Sequence, residues 1–116
     1  MAEETFLYLT TIGHRSGHPH TIEIWYIAHE DCYYVVAEGR ERAHWVKNIQ
    51  KNPRVRMSVG TQTDREQERP ETSAFARSLS PVEDSHLIAA VSALMQAKYN
   101  WSDGLIVQLM PESTTG

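Results

Sequence analysis

The feature that most constrains the fold is a series of three strand-like segments, joined by very short turns, in the N-terminal part of the chain. Phe6–Ile12, Thr21–Ala28 and Cys32–Ala37 are rich in β-branched, aromatic and other apolar residues, which is typical of strands. The segments between them contain the turn-forming His14–Gly17 and Glu30–Asp31, and neither is long enough for the helical crossover that parallel strands require. The pattern therefore predicts an antiparallel meander.

After the meander, the pattern alternates between helix and strand. A helical period extends over Arg42–Lys51 and is ended by Pro53, because the residue before a proline is disfavoured in the α region. Arg54–Val59 then alternates basic with apolar residues, which predicts a strand with one buried face. Thr61–Pro70 is polar and charged and is predicted to be an exposed loop. Two more strands are predicted, at Glu71–Leu79 and at Leu105–Met110.

A second helix is predicted to begin at Ser80. Ser80 suits the N-cap, Pro81 suits the first helical position, and Glu83 suits the reciprocal position of a capping box. The segment that follows has apolar residues at helical spacing, which we expect to pack the helix onto the sheet. These residues are Leu87, Ile88, Val91, Leu94 and Met95.

The predicted element order is β-β-β-α-β-β-α-β, and a chain of 116 residues is expected to form one α+β domain over residues 1–116. Consecutive antiparallel strands with two inserted helices favour a closed or nearly closed barrel flanked by helices. A dinucleotide-binding fold of parallel βαβ units does not fit, since no G-x-G-x-x-G follows a strand. The second and third strands carry Trp25, Tyr33, Tyr34 and Val35, which is more bulky apolar surface than a small barrel readily holds and favours a homodimer.

Composition limits the partners that this domain can have. The net charge is −4, which argues against nucleic acid or an anionic membrane surface as the main partner. No apolar run is long enough to span a membrane, and the N-terminus lacks the basic start of a secretory signal. The single Cys32 is expected to be a small buried hydrophobic residue rather than a reactive thiol. We therefore expect a cytoplasmic protein.

No catalytic side chain is recognisable from the sequence. There is no G-x-S-x-G nucleophile motif, and Glu23 is expected to lie on a solvated sheet face rather than to act as a base. His14, His18 and His20 crowd the first hairpin, but no carboxylate or cysteine joins them at the spacing of a metal site. We expect surface histidines there, and no bound metal.

Two segments have the chemistry of a phosphate-binding site. The first hairpin turn offers the cation of Arg15, the hydroxyl of Ser16 and the backbone N–H groups around Gly17. Arg40 and Arg42 lie where the third predicted strand ends and the first predicted helix begins. The start of a helix carries partial positive charge and unpaired N–H groups, which favour anions.

Two neighbouring residues complete this predicted site. Gly39, without a side chain, allows a ligand to approach the backbone closely. Trp45, one turn into the helix, could shield an aromatic ring system. The alternative is that Arg40 and Arg42 only form salt bridges on the surface, and the spacing alone leaves both interpretations open.

Two longer motifs resemble a known family. The hairpin segment LTTIGHRSGHP, residues 9–19, is similar to the TTxGRxSGxP hairpin of the deazaflavin-dependent nitroreductases. The segment WVKNIQKNPRV, residues 45–55, resembles the WxxNLxxNPxV helix-to-strand segment of the same family, in the same order along the chain. That family belongs to the pyridoxamine-phosphate-oxidase-like split β-barrels, which bind flavin mononucleotide (FMN) or a deazaflavin. The resemblance thus implies a split β-barrel of about six antiparallel strands.

The resemblance also implies where a cofactor would bind. It implies a homodimer with two cofactors at the subunit interface, in which the barrel carries the ring system and basic residues hold the phosphate-bearing tail. The residues placed at the tail by position are Arg15, Ser16, Gly17 and Lys47. The residues placed along the cofactor are Val36, Ala37 and Glu38, through backbone groups, and Trp45, which would pack near it.

Departures from the family pattern bear on the cofactor. His14 and His20 stand where many relatives have arginine, which predicts a less basic tail site. Trp45 stands where FMN binders often have lysine, which favours the deazaflavin F420 over FMN.

We therefore expect an oxidoreductase in which F420, or alternatively FMN, passes hydride to a small conjugated acceptor such as a quinone or a nitro compound. The cofactor supplies this chemistry and the protein positions it, so hydride transfer itself requires no acid–base residue. An alternative of a different class is a non-catalytic flavin- or haem-binding protein on the same barrel, with a histidine as the haem ligand.

Overall fold

The computed structural model describes residues 6–60, 72–100 and 104–112. The strands within these residues are β1 (Phe6–Ile12), β2 (Pro19–His29), β3 (Cys32–Ala37), β4 (Arg54–Gly60), β5 (Thr72–Ser78) and β6 (Leu105–Pro111). The helices are α1 (His44–Lys51), which follows a 3-10 turn at Arg40–Arg42, and α2 (Ser85–Tyr99). The observed order confirms the predicted β-β-β-α-β-β-α-β chain. The predicted loop Thr61–Pro70 lies outside the described residues.

The strands form a closed antiparallel barrel in the order β1-β2-β3-β6-β5-β4, with β4 pairing back onto β1. β2 is long enough to take part in two pairings, with β1 over Pro19–Trp25 and with β3 over Tyr26–His29. Leu9 of β1 lies opposite Ile22 of β2 and Met57 of β4, so apolar side chains from three strands meet inside the barrel. The predicted α+β barrel is confirmed.

Two hydrophobic clusters stabilise the fold. The first fills the barrel and includes Leu9 of β1, Val107 of β6 and Ile49 of α1, so α1 is packed against the barrel. The second lies between α2 and the outer face of the barrel, and Val91 and Met95 of α2 are fully buried in it. Because successive residues of a strand point to opposite faces, the same strands serve both clusters.

Leu94 does not belong to the buried face of α2, contrary to the prediction. Its side chain is 40% exposed, whereas those of Val91 and Met95 are fully buried. Each residue of an α-helix is rotated by about 100° from the one before, so Leu94 lies beside the line of contact that Val91 and Met95 define. Leu87 and Ile88 pack against the second cluster, as predicted.

α2 begins later than predicted, because the chain first makes a separate turn. Ser80 does act as a cap, since its Oγ accepts the N–H groups of Val82 and Glu83 at 3.3 and 3.4 Å. The reciprocal contact comes from Asp84 instead of Glu83, through the Ser80 N–H, which donates to Asp84 Oδ2 at 2.8 Å. Arg77 donates to the same oxygen at 3.1 Å. These bonds hold Asp84 at φ −115° and ψ 25°, outside the helical region, and the helix starts after it.

The bulky residues of β2 and β3 are largely accommodated within one chain. Val35 faces the barrel cluster, and its neighbour Tyr34 faces the cluster under α2, where it is fully covered. Tyr33 is partly buried against the barrel cluster. Trp25 is 39% exposed, and its ring stacks on that of Tyr99 with a centroid distance of 4.5 Å. The excess apolar surface expected from the sequence is therefore smaller than predicted and is greatest at Trp25.

Candidate functional site

The turn between β1 and β2 is held by backbone hydrogen bonds and by one glycine conformation. The Gly13 N–H donates to the His18 carbonyl at 2.8 Å, and the Gly17 N–H donates to the Gly13 carbonyl at 2.9 Å. Gly17 has φ +73°, a left-handed conformation that glycine adopts without side-chain strain. The turn therefore presents Arg15 and Ser16, both exposed, at a defined position.

Asn48 of α1 connects this turn to the helix. Its side chain is 4% exposed, its Oδ1 accepts the His14 N–H at 2.8 Å, and its Nδ2 donates to Thr11 Oγ1 at 2.9 Å. Lys51, one helical turn later, donates from Nζ to the His14 carbonyl at 2.9 Å. Both backbone groups of His14 are thus bonded to side chains of α1, which hold the hairpin beside the helix.

The hairpin and α1 line an open cavity of about 960 Å³, here called the basic cavity. Its walls include Arg15 and Ser16 from the turn and His44, Trp45 and Lys47 from α1. The described residues that line it include no aspartate or glutamate, so its ionisable side chains are all basic. α1 has no acidic residue in its first turn, so the partial positive charge of the helix start adds to the same field.

His14 also lines the basic cavity, and its titration reflects the local field. Its ring is stacked against that of His44, with centroids 6.2 Å apart and planes 15° from parallel. Partial desolvation lowers the pKa of His14 from its ordinary value, and nearby positive charges lower it further. Those charges belong, in order of effect, to Arg15, Lys47, His44 and Lys51. The cavity therefore disfavours an added proton and attracts anions.

A second open cavity, of about 670 Å³, is here called the apolar cavity. Its walls are mostly apolar residues of β2 and of the end of β3, including Ile24 and Trp25, and also include Glu23 and Glu38. Val36 lines it as well, although its side chain is buried in the cluster under α2. Ile22 and Trp45 line both cavities, so the two adjoin and Trp45 stands where they meet. Together they form a site with a cationic part and an apolar, aromatic part.

Gly39 lines the apolar cavity at a position where the protein itself has room for a side chain. Its φ of −77° is open to any residue, and an added Cβ would meet only Ala43, at 3.6 Å. Gly13 differs, because an added Cβ there would lie 2.5 Å from Ser16 Oγ. The missing side chain at Gly39 therefore leaves open space in the cavity.

The structure distributes the predicted site residues over the two cavities. Those in the basic cavity are Arg15, Ser16, Trp45 and Lys47. Those in the apolar cavity are Val36, Ala37, Glu38, Gly39 and Trp45. Gly17, Arg40 and Arg42 line neither cavity, and Arg40 has a left-handed φ of +53° in the 3-10 turn before α1. A phosphate contact from Arg40 or Arg42 stays a prediction.

Sequence reasoning missed the roles of His44, Asn48 and Lys51. A signal for Asn48 was present, because it is a polar residue in the middle of the helix motif, between Val46 and Ile49, which are both buried. His44 directly precedes Trp45 within the predicted helix Arg42–Lys51, and no motif singles it out. Nothing in the local sequence shows that Lys51 meets the hairpin, since its partner His14 is 37 residues away.

Two other kinds of site are not found in the part of the chain that the structure describes. No group of three or more histidine, cysteine, aspartate or glutamate side chains is arranged to hold a metal ion there. Cys32 is partly buried against the cluster under α2. Among the same residues, no helix has the length and apolar character needed to cross a membrane.

The sequence profile of the F420H2-dependent quinone reductase family matches residues 1–99, which include every described residue that lines either cavity. The chain belongs to this family. The match confirms the resemblance to deazaflavin-dependent enzymes that the hairpin and helix motifs carry. No curated protein sequence matches this family member significantly.

Solved structures share the split-barrel fold of this family member. The haem storage protein HutZ of Vibrio cholerae has a TM-score of 0.76 at 22% identity, over 97% of this chain and 84% of its own. A protein named F420 reductase has a TM-score of 0.68 at 18% identity, over 96% and 89%. A candidate pyridoxamine 5′-phosphate oxidase of Listeria innocua has a TM-score of 0.69 at 13% identity, over 94% and 85%. At these identities the likeness establishes the fold alone, which is the predicted split β-barrel.

Proposed function

We propose that the protein binds the deazaflavin F420 and uses it to pass hydride to a small conjugated acceptor, with a quinone as the first candidate. The observation that supports this most directly is the meeting of the basic and apolar cavities at Trp45. A cofactor with a flat ring system and a phosphate-bearing tail needs two such environments side by side. Family membership supports the choice of cofactor and of acceptor class.

The phosphate-bearing tail is assigned to the basic cavity. Arg15 and Lys47 would supply positive charges and Ser16 a hydroxyl, and no described carboxylate in the cavity competes for them. The backbone before Arg15 is held in place before any ligand binds, because the His14 N–H is bonded to Asn48. A hydrogen bond to a charged group contributes about 1.5–3 kcal/mol, so losing one should weaken binding roughly tenfold to a hundredfold.

The ring system is assigned to the apolar cavity. Val36, Ala37 and Glu38 at the end of β3 would line the ring with backbone groups, and Trp45 would pack near it. Gly39 leaves the space that the ring needs. When bound, the reduced cofactor supplies the hydride, and these residues orient the ring and exclude water from it. No acid–base side chain is required for this step.

FMN is the alternative cofactor, because it also combines a flat ring system with a phosphate. F420 is preferred on family membership and on the presence of Trp45 where FMN binders often have lysine. Nitro compounds are the alternative acceptors, since they too accept hydride at a conjugated centre.

A non-catalytic flavin- or haem-binding role is the second candidate function. It is supported by the likeness in fold to the haem storage protein HutZ and by the histidines His14, His20 and His44 in the basic cavity. The visible spectrum of the purified protein distinguishes the candidates. A haem Soret band would favour the second candidate, a flavin band would favour FMN, and a colourless protein that binds added F420 would favour the first.

We further infer a homodimer of this single domain, with the cofactor at the subunit interface. The apolar cavity is open, and Trp25 in its wall is 39% exposed, so a second subunit could complete it. Obligate homodimer interfaces are large and apolar, which would cover this surface. A monomer in sedimentation equilibrium at micromolar concentration would remove both the dimer and the shared site.

Binding is tested by fluorescence titration with F420 and with FMN. Arg15→Ala should weaken binding roughly tenfold to a hundredfold, and by less at high salt, because part of the attraction is screened. Arg54→Ala is the matched control, since Arg54 is an exposed arginine on β4 that pairs with Glu112. Arg65, in the loop predicted to be solvent-exposed, lies outside the described residues, and Arg65→Ala serves as a second control.

Two outcomes of this titration would contradict the tail assignment. If Arg54→Ala weakens binding as much as Arg15→Ala, the attraction is a diffuse effect of charge. If Arg15→Ala has no effect, the phosphate lies elsewhere. Arg42→Ala decides separately whether Arg42 also reaches the phosphate, and a loss equal to that of Arg15→Ala would place it there.

Turnover is tested by mixing reduced F420 with the protein and a soluble quinone or nitro compound. Oxidation of the cofactor that depends on both the protein and the acceptor would support the reductase. Binding without oxidation of the cofactor would favour the non-catalytic alternative.

A further inference from the structure

The ring of His14 is held at the wall of the basic cavity by contacts that do not involve the ring nitrogens. Its backbone N–H is bonded to Asn48 and its carbonyl to Lys51, at 2.8 and 2.9 Å. The ring itself is stacked on that of His44, which lines the same cavity. A substitution that changes only the ring therefore leaves the backbone docking of the hairpin intact.

The charged groups that face His14 are basic. Arg15 follows it in the turn, and His44, Lys47 and Lys51 face it from α1. His20 of β2 lines the same cavity, and none of its described lining residues is acidic. Like charges disfavour the imidazolium form, and the pKa of His14 is accordingly lowered, with desolvation as the largest cause. In the free protein, the surroundings of His14 therefore favour its uncharged form.

We propose that His14, stacked on His44, is a proton-coupled anion-binding residue, so that an anionic group enters the basic cavity together with a proton. The protonated ring would then donate a charge-assisted hydrogen bond to the anion. The inference rests on the proposed function only for the identity of that anion, the phosphate-bearing tail of the cofactor. An arginine at this position would bind the same anion without taking up a proton.

The direction in which anion affinity changes with pH follows from a comparison of the free protein with the anion complex. An anion within about 4–6 Å favours the charged imidazolium, so the pKa of His14 is higher in the complex than in the free protein. Below the pKa of the free protein, the ring is protonated in both states and binding is tightest. Binding weakens as the pH rises from the free-state pKa to the bound-state pKa, by about tenfold for each unit that separates them.

The direct test is an NMR titration of the histidine ring protons between about pH 5 and pH 8, in sodium sulfate and in sodium chloride of equal ionic strength. Sulfate keeps its charge throughout this range, so only protein groups titrate. The pKa of His14 should be higher in sulfate than in chloride, because the bound anion favours the imidazolium form. The same pKa of His14 in both salts would overturn the proposal.

The second test is FMN binding to the wild type, His14→Gln and His14→Arg near pH 6 and pH 8, with FMN as the probe. The phosphate of FMN titrates with a pKa of about 6, so the wild type is compared with His14→Gln at each pH. The wild type should bind about tenfold more tightly than His14→Gln near pH 6 and equally near pH 8. His14→Arg should bind FMN more tightly than His14→Gln at both pH values. A ratio of wild type to His14→Gln that is independent of pH would overturn the proposal.

These tests separate the inference from the proposed function. If neither F420 nor FMN binds, the proposed function fails, and the sulfate titration alone decides whether His14 is a proton-coupled anion site. If a flavin-type cofactor binds and the pKa of His14 is the same in sulfate and chloride, the proposed function stands and the inference is wrong.

Discussion

Replacing Asn48 with alanine should reveal how strongly the hairpin depends on α1. The substitution removes the acceptor of the His14 N–H and the donor to Thr11 Oγ1, at 2.8 and 2.9 Å. The Thr11 side chain is 1% exposed, so water does not easily replace Asn48 there, whereas the His14 N–H lies in a part-buried contact. A buried polar group left without a partner costs about 1–3 kcal/mol and a half-buried one less, so Asn48→Ala should lower the free energy of unfolding by about 2–4 kcal/mol.

The matched control is Asn52→Ala, which removes an amide of the same size just after the helix. Among the described residues, the Asn52 side chain accepts only the Arg54 N–H, at 3.3 Å and in an exposed contact. Asn52→Ala should lower the free energy of unfolding by less than about 1 kcal/mol. Neither substitution changes the net charge, so the two variants differ in the burial of the amide that is removed.

The assay is urea unfolding followed by tryptophan fluorescence, with hydrogen exchange of the His14 amide as a local readout. Asn48→Ala should shift the midpoint and also deprotect the His14 N–H beyond the loss of global stability, because the hairpin opens locally. If Asn48→Ala and Asn52→Ala cost the same within about 0.5 kcal/mol, then Asn48 does not connect the two elements as argued.

Three further predictions follow from particular contacts. Gly39→Ala should leave the free energy of unfolding within about 0.5 kcal/mol of the wild type, because the new Cβ meets only Ala43. It should weaken cofactor binding in fluorescence titration, because the Cβ enters the apolar cavity. Equal cofactor affinity of the two proteins would contradict the ring assignment. Met95→Ala should cost about 2–5 kcal/mol in urea unfolding and Leu94→Ala much less, since Met95 is fully buried and Leu94 is 40% exposed, and the reverse order would refute the packing of α2. The Ser80 N–H and then Arg77 hold the pKa of Asp84 below its ordinary value of 3.8. The charged carboxylate therefore stabilises the fold fully above that pH, and this stabilisation is lost as the pH falls below it. Asp84→Asn should make the free energy of unfolding less dependent on pH in this range, and an unchanged acid transition would exclude a contribution from Asp84.

The order of the elements and the antiparallel pairing of β1 to β3 could be read from the sequence because they depend on local signals. β-branched and aromatic runs locate β1 to β3, and the short turns at Gly17 and at Glu30 force antiparallel neighbours. The predicted limits of β1 and β3 agree with those observed. The boundary of α2 was wrong because it depends on a competition among hydrogen bonds at Asp84, which the capping pattern of Ser80 and Glu83 does not reveal.

The candidate site was predicted in its parts but not in its arrangement. Arg15 was selected for its charge, and Lys47 and Val36 through the resemblance to a family, and all of them line one of the two cavities. Arg40 and Arg42 were selected by the same reasoning about charge, and neither lines a cavity. Charge near a helix start therefore does not by itself show which way a side chain faces.

The sequence by itself determined the elements of this protein and the chemical types of its site residues, because both depend on residues close together along the chain. Only the tertiary structure brought the hairpin and α1 together, since the contact of His14 with Asn48 joins residues 34 positions apart. Packing of α2 on the outer face of the barrel likewise buries Val91 and Met95 and leaves Leu94 partly exposed. Contacts of this kind depend on packing between segments that are distant along the chain, so local periodicity does not predict them.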